Sequence, residues 1–389
     1  MSELVLKSKE EQRILGGHLW VFSNEVSRVD AEVENGSVMD VVASKGQFLG
    51  QAYYNRHTLI AARLLSRRRE AIDAAFFAAR LGRAKAWRES LGLTGSCRVV
   101  YSEGDLLPGL VVDRYENYLV VQSLTLGMEK LRAPLMAALS EVLAPSGILL
   151  RNDSPFRALE NLPSETVAVQ GDVPERVTIE EAGARFLVDL RGGQKTGFYF
   201  DQRETRALAR SLARNRRVLD CFSYTGGFAV NCALGGAVSV LAIDNSAAAL
   251  QILQENARLN DVAGLVTARR GNCFDELREM EQRKERFDLI ILDPPAFVKS
   301  KSHLKAGLIG YREINATAMK LLAPDGILLT CSCSQNLSGE EFQNVLRQAS
   351  RGARKHFRLV RTLTQSSDHP ILQAMPETQY LKCAVLQAL

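Results

Sequence analysis

The sequence has no run approaching the roughly twenty apolar residues that a membrane-spanning helix needs. Its start, Met1-Ser2-Glu3-Leu4-Val5-Leu6-Lys7, lacks the apolar stretch of a signal peptide. Seven cysteines in 389 residues show no paired spacing, which argues for free thiols in a reducing compartment. Cys331 and Cys333 stand two apart with no second pair, so no four-ligand zinc site is expected. The five histidines have no ligand-like spacing, and neither internal repeats nor low-complexity tracts occur. These absences predict a cytoplasmic chain with no membrane segment and no metal.

What is present fits an ordinary globular protein of two or three domains: 46% hydrophobic and 24% charged residues. A net charge of +5 says little about partners, but its distribution says more. Arg63, Arg67, Arg68 and Arg69 form one cluster, and Arg80, Arg83, Lys85 and Arg88 a second. Arg203, Arg206, Arg210, Arg214, Arg216 and Arg217 form a third. Clustered cations of this kind favour a phosphate backbone through counterion release. The bland alternative for each is a solvated helix face.

Residues 1–70 carry short strand-like runs broken by glycine, such as Phe48–Tyr54, and predict a small β module suited to binding. Residues 71–180 open with a helix over 71–92 and continue as a mixed α/β segment. Residues 152–175 read as loop, and Val177–Leu190 as strands at a domain edge. From 181 to 389 strand and helix alternate, ending in strands at 357–363 and 379–387. That alternation predicts an α/β domain around a mostly parallel sheet of seven strands.

Two motifs end apolar runs in this last domain. Asp293-Pro294-Pro295-Ala296-Phe297 follows Phe287–Leu292, and Thr330-Cys331-Ser332-Cys333-Ser334 follows Gly326–Leu329. Open α/β sheets hold ligands beyond the carboxyl ends of their strands, so an acid and a thiol are expected to face one crevice. That pairing suits covalent chemistry on a flat heterocycle with an exocyclic amine. Asp293 before two prolines presents a rigid acceptor, although an aspartate here could also cap the following segment. Phe297 could stack on a base or pack internally.

Upstream, the strand Arg217–Phe222 runs into the turn Ser223-Tyr224-Thr225-Gly226-Gly227. This is not the G-x-G-x-x-G dinucleotide fingerprint, because Asp220 holds the strand end in place of a glycine. Asp244 ends the next strand, beside Asn245, where a carboxylate can accept from ribose hydroxyls. Asn272 follows a third strand over 265–268 and could hold an adenine edge. Acids at a methionine amino group and at a ribose, with an amide at a purine, describe S-adenosylmethionine (SAM) better than a dinucleotide. The candidate cofactor residues here are Asp220, Phe222, Ser223, Gly226, Asp244, Asn245, Asn272 and Asp293.

The segment Gly192-Gly193-Gln194-Lys195-Thr196-Gly197-Phe198-Tyr199-Phe200-Asp201-Gln202-Arg203, taken with these motifs in order, resembles the ribosomal RNA large subunit methyltransferase I family. Gly16-Gly17-His18-Leu19-Trp20-Val21-Phe22-Ser23-Asn24-Glu25 resembles that family's small RNA-binding PUA domain, so the likeness covers nearly the whole chain. The resemblance implies a class I, Rossmann-like SAM methyltransferase domain behind a PUA-like domain, acting on cytosine C5 of 23S ribosomal RNA. It adds Gln202, with Asp201, near the methionine end of the cofactor. Cytosine C5 is a poor nucleophile, and thiolate addition at C6 activates it while a carboxylate handles a proton at N3.

Spacing leaves Cys331 and Cys333 equal, because residues two apart on a strand share a face. The resemblance implies Cys333 as the nucleophile and Asp293 as the acid. Relatives in this chemistry carry a second cysteine where this chain has Ala296, which leaves the release step without an assigned base. Methylation of a guanine or adenine nitrogen is the alternative reaction, and it needs no thiol. A non-catalytic ribosome-assembly protein is the third reading. Oligomeric state stays open, a homodimer included.

Overall fold

A computed structural model gives the backbone of every residue except Met1, Ala31 and Lys299, with the Lys301 side chain also outside the described atoms. Contacts divide the chain into two compact units. The first comprises Met1–Val177, Asp189–Phe200 and Ser367–Thr378; the second comprises Thr178–Val188, Asp201–Ser366 and Gln379–Leu389.

The first unit holds a six-stranded and a five-stranded sheet. Within the six-stranded sheet Phe48–Tyr54 pairs antiparallel with both Val38–Val42 and Ile60–Ser66. Leu4, Val21, Met39, Val41, Leu49 and Leu64 close its core. The helix Ala74–Ser90 starts where the Asp73 carboxylate accepts from the Phe76 N–H. Its Phe77 and Leu81 pack with Val100, Leu110, Val112 and Leu119 of the five-stranded sheet. The segment read as loop over 152–175 contains a strand, Glu165–Gln170, at the edge of that sheet. Its alternation was hidden because Val167 and Val169 face solvent while Thr166 is also exposed.

The second unit is built on a seven-stranded sheet. In spatial order its strands are Val266–Arg270, Ser239–Asp244, Arg217–Cys221, Phe287–Leu292, Leu322–Ser332, Lys382–Ala388 and Phe357–Leu363. The first five run parallel, and the last two form an antiparallel pair. Parallel neighbours need crossover connections, and helices supply them, as Gly227–Leu234 does between the 217–221 and 239–244 strands. Helices on both faces explain why Leu289, Ile290, Ile291 and Leu292 are all fully buried.

Register decides where the chemistry falls. Cys221 pairs with both Ile243 and Leu292, and Leu292 pairs with Thr330. The carboxyl ends of four neighbouring parallel strands therefore lie within two residues of one level. Strand order reverses between 217–221 and 287–292, which opens a crevice at those ends.

Several arginines read from the sequence as phosphate contacts are instead structural. Arg206 makes a two-pronged pair with Glu181, at 2.6 and 2.7 Å, with both side chains buried. Arg88 does the same with Asp105, and Arg63 bonds Glu160 at 2.9 Å. Arg68, Arg69, Arg83, Arg214 and Arg217 remain exposed. Removing one partner of a buried pair strands the other charge in a low dielectric. Arg206→Ala should lower stability by about 3–5 kcal/mol, whereas exposed Arg214→Ala should stay within about 0.5 kcal/mol. Urea denaturation of the two variants reads both effects.

Candidate active site

The turn after the 217–221 strand is strained. Phe222 and Tyr224 adopt φ of 64° and 48°, in the left-handed region, and Gly226 follows at 86°. Each non-glycine residue there costs roughly 1–2 kcal/mol, and such strain clusters at functional sites. A Cβ on Gly226 would lie 2.6 Å from Leu253 Cγ, so glycine is required on two grounds. The Ser223 N–H donates to Ile243 O at 3.0 Å, and the Gly226 N–H to Ser223 O at 2.8 Å. Nothing in the apolar-to-glycine pattern announced the strain at Phe222 and Tyr224.

Asp244 fastens this turn to the neighbouring strand. Its carboxylate accepts from the Tyr224 N–H at 2.9 Å and the Ser246 N–H at 2.8 Å. One acceptor site remains on each oxygen for a ligand's hydroxyls. Asn272 caps the helix Cys273–Gln282 by accepting from the Phe274 N–H at 2.9 Å, a bond that engages its side-chain oxygen and not its amide N–H groups. Asn245 is exposed, and its carbonyl accepts from Arg270 Nε at 3.2 Å. Gln202 is buried, with Oε1 3.8 Å from the Cys383 sulfur. Asp201 accepts from the Tyr380 hydroxyl at 2.5 Å, just ahead of the terminal strand Lys382–Ala388 that carries Cys383.

Asp220 stands apart. It is fully buried, and neither carboxylate oxygen has a hydrogen-bond partner in ordinary geometry among the described residues. Burial, then the charge of Asp293, and also that of Asp244, push its carboxyl well above the usual carboxylate range. The nearby Ala229 N–H offsets only part of this. The Ser223 hydroxyl is likewise buried without a partner. A buried unsatisfied acid is costly, and an ammonium group such as that of SAM would relieve it. The donor set therefore fits this cofactor on the chain's own geometry.

The two cysteines part company. The ladder ends at Ser332, so the extended geometry that would put both side chains on one face stops between them. Cys331 pairs across the sheet with Cys383, its sulfur 2.9 Å from that thiol, and burial followed by this contact pushes its thiol up. Cys333 lies past the strand end. Among the seven cysteines it alone is not buried, and its sulfur sits 3.9 Å from Pro294 O.

A chain of hydroxyls fixes this corner. The Val298 N–H donates to Ser334 Oγ at 3.1 Å, Tyr311 OH lies 3.0 Å from Ser334 Oγ, and Ser332 Oγ donates to Tyr311 OH at 2.9 Å. The loop after Asp293 and the turn holding Cys333 are thereby one assembly. Phe297 packs 4.6 Å from the Tyr311 ring and 5.8 Å from Phe274. Lys382, directly across the ladder from Ser332, donates to Ser334 O at 2.6 Å and Tyr380 O at 2.7 Å. Sequence reading missed Tyr311 and Lys382. A lysine opening the apolar run Cys383–Leu386 was the available signal.

Because Asp220 is driven toward its protonated form, its contribution to stability is full below the unfolded value near pH 4 and is lost as pH rises through the elevated folded value. Asp220→Asn should therefore stabilise the ligand-free protein at neutral pH by about 1–3 kcal/mol while abolishing the rise in melting temperature on adding SAM. Differential scanning fluorimetry with and without SAM measures both.

Comparison with known proteins agrees with this geometry. A family described as S-adenosylmethionine-dependent methyltransferase matches residues 123–380, and one described as PUA-like domain matches residues 4–67. Ribosomal RNA large subunit methyltransferase I of Tolumonas auensis is 40% identical, with 99% of this chain and 98% of that protein covered. Its counterpart from Citrobacter koseri is 40% identical with 97% of each covered. A solved chain from Streptococcus mutans assigned to the SAM-dependent methyltransferases superposes over the whole of both chains with a TM-score of 0.86 at 21% identity. Another, solved with SAH, gives 0.87 at 20%. No helix among the described residues is long and apolar enough to cross a membrane. With its strained turn, orphaned acid and level strand ends accounted for, the chain belongs to the ribosomal RNA large subunit methyltransferase I family of SAM-dependent methyltransferases behind a PUA-like domain.

Proposed function

We propose that the chain methylates C5 of a cytosine in 23S ribosomal RNA through a covalent bond between Cys333 and C6. The observation that carries this is the placement of the only thiol that is not buried, at a strand end against Pro294, next to Asp293. The named relatives support the RNA substrate, and a cytoplasmic site of action follows from it. In this reading residues 1–70 bind RNA, 71–180 add RNA-facing surface, and 181–389 hold the chemistry. Exposed Arg68 and Arg83 are cations available to phosphate in the first two segments.

When bound, SAM supplies an electrophilic methyl group on a sulfonium. Asp220 holds its amino group, Asp244 its ribose, and Asn272 its adenine edge, with Phe222, Ser223, Gly226 and Asn245 shaping the wall and Gln202 at the methionine end. The target base is brought out of its stack into the crevice. Cys333, as thiolate, adds to C6, and Asp293 holds the proton at N3. The electron pair so released makes C5 nucleophilic, and C5 takes the methyl group. Loss of the C5 proton then re-forms the ring double bond and expels the thiolate. Methylation of a ring or exocyclic nitrogen uses that nitrogen's lone pair and gives no role to Cys333.

RNA carrying 5-fluorocytosine at the target should trap the protein, because fluorine cannot leave as a proton does. The adduct should survive denaturing electrophoresis with the unaltered chain and with Cys331→Ala, and be lost with Cys333→Ala. Trapping that depends on Cys331 would reverse the assignment. No adduct, with an N-methylated base recovered, would support nitrogen methylation instead.

A further inference from the structure

We propose that Lys382 is a positioning residue that takes the thiol proton of Cys333 and holds the sulfur as thiolate. This rests on Cys333 being the nucleophile. Lys382 brackets that residue: it pairs across the ladder with Ser332, the residue before Cys333, and its Nζ donates at 2.6 Å to the carbonyl of Ser334, the residue after it. A second carbonyl, that of Tyr380, takes another N–H at 2.7 Å. Two of the three positions on Nζ are thus committed to the backbone. The third is an N–H in the ammonium and a lone pair in the amine, so it is where one proton is gained or lost.

The charge balance favours exchange with sulfur. Burial lowers the ammonium of Lys382 to about 8, and the negative charge of Cys333 is the strongest influence holding it up. In the transfer, the S–H bond breaks and its electron pair stays on sulfur, while the Nζ lone pair takes the proton. Expulsion of the thiolate at the end of turnover restores the pair. The other groups facing it are Tyr311 from the helix Leu304–Leu321, Glu341 from the helix Gly339–Ala353, Cys383 on the same strand, and Asp293, whose charge reaches Cys331.

Because the other six cysteines are buried, iodoacetamide labelling read by peptide mass spectrometry isolates Cys333 in the full chain without RNA. Only the thiolate reacts appreciably. Lys382→Met should shift the pH midpoint of labelling upward by about one unit or more, slowing labelling at neutral pH about tenfold. Lys382→Arg, which keeps the positive charge, should restore the low midpoint and with it the thiolate. SAM binding checks that each variant is folded, with Lys382→Gln replacing the methionine variant if that one fails. An unchanged midpoint in the folded methionine or glutamine variant, or a midpoint still raised in the arginine variant, would overturn the proposal. Failure of the cytosine-C5 reading would show in fluorocytosine trapping and leave this pH profile standing, so the two are separable.

Discussion

The hydrogen-bonded chain from the Val298 N–H through Ser334 and Tyr311 to Ser332 is the constraint on which the site depends. Strand ends leave the ladder there, and without cross-links the two loops would move independently. Tyr311 is fully buried and reaches both serines, so a single side chain on a packed helix fixes the backbone on either side of Cys333. The level register of Cys221, Leu292 and Thr330 then sets which loops meet. An acid and a thiol that lie about forty residues apart in sequence become neighbours through sheet geometry alone.

Stability is given up at the same place. Asp220 is an acid buried with no side-chain partner among the described residues, and Phe222 and Tyr224 are held in an unfavourable backbone region. Each is a cost that a folded core would not select. The apolar strands beneath, with Leu219, Ile243, Ile290, Leu292 and Leu328 fully buried, supply what offsets it. Strain and an unpaired acid on rigid strand ends pre-arrange the site for a cationic ligand, so little has to move on binding. Buried ion pairs such as Arg206 with Glu181 serve the opposite purpose and hold structure.

Much of this was legible from the chain. Continuous apolar runs ending at Asp220, Asp244, Asp293 and the Ser-Cys-Ser motif marked out the parallel sheet, because burial on both faces leaves a plain signature. Charge clusters misled, since sequence cannot say whether Arg88 or Arg206 meets solvent or a buried carboxylate across the fold. The edge strand Glu165–Gln170 escaped because both its faces are partly wet, which erases the alternation. Cys331 and Cys333 were equal by spacing, and only the ladder's end at Ser332 and the thiol of Cys383 separate them. Lys382 stood out only as a lysine opening an apolar run, because its meaning lies in a strand pairing fifty residues distant.

The central claim is that this corner makes 5-methylcytosine in large-subunit ribosomal RNA. Mass spectrometry of nucleosides from 23S RNA, taken from cells with the gene, without it, and with the gene restored as Cys333→Ala, tests it most directly. One 5-methylcytidine should disappear without the gene and should not return with the alanine variant. A lost modification on a guanine or adenine nitrogen, or 5-methylcytidine restored in full by Cys333→Ala, would contradict it.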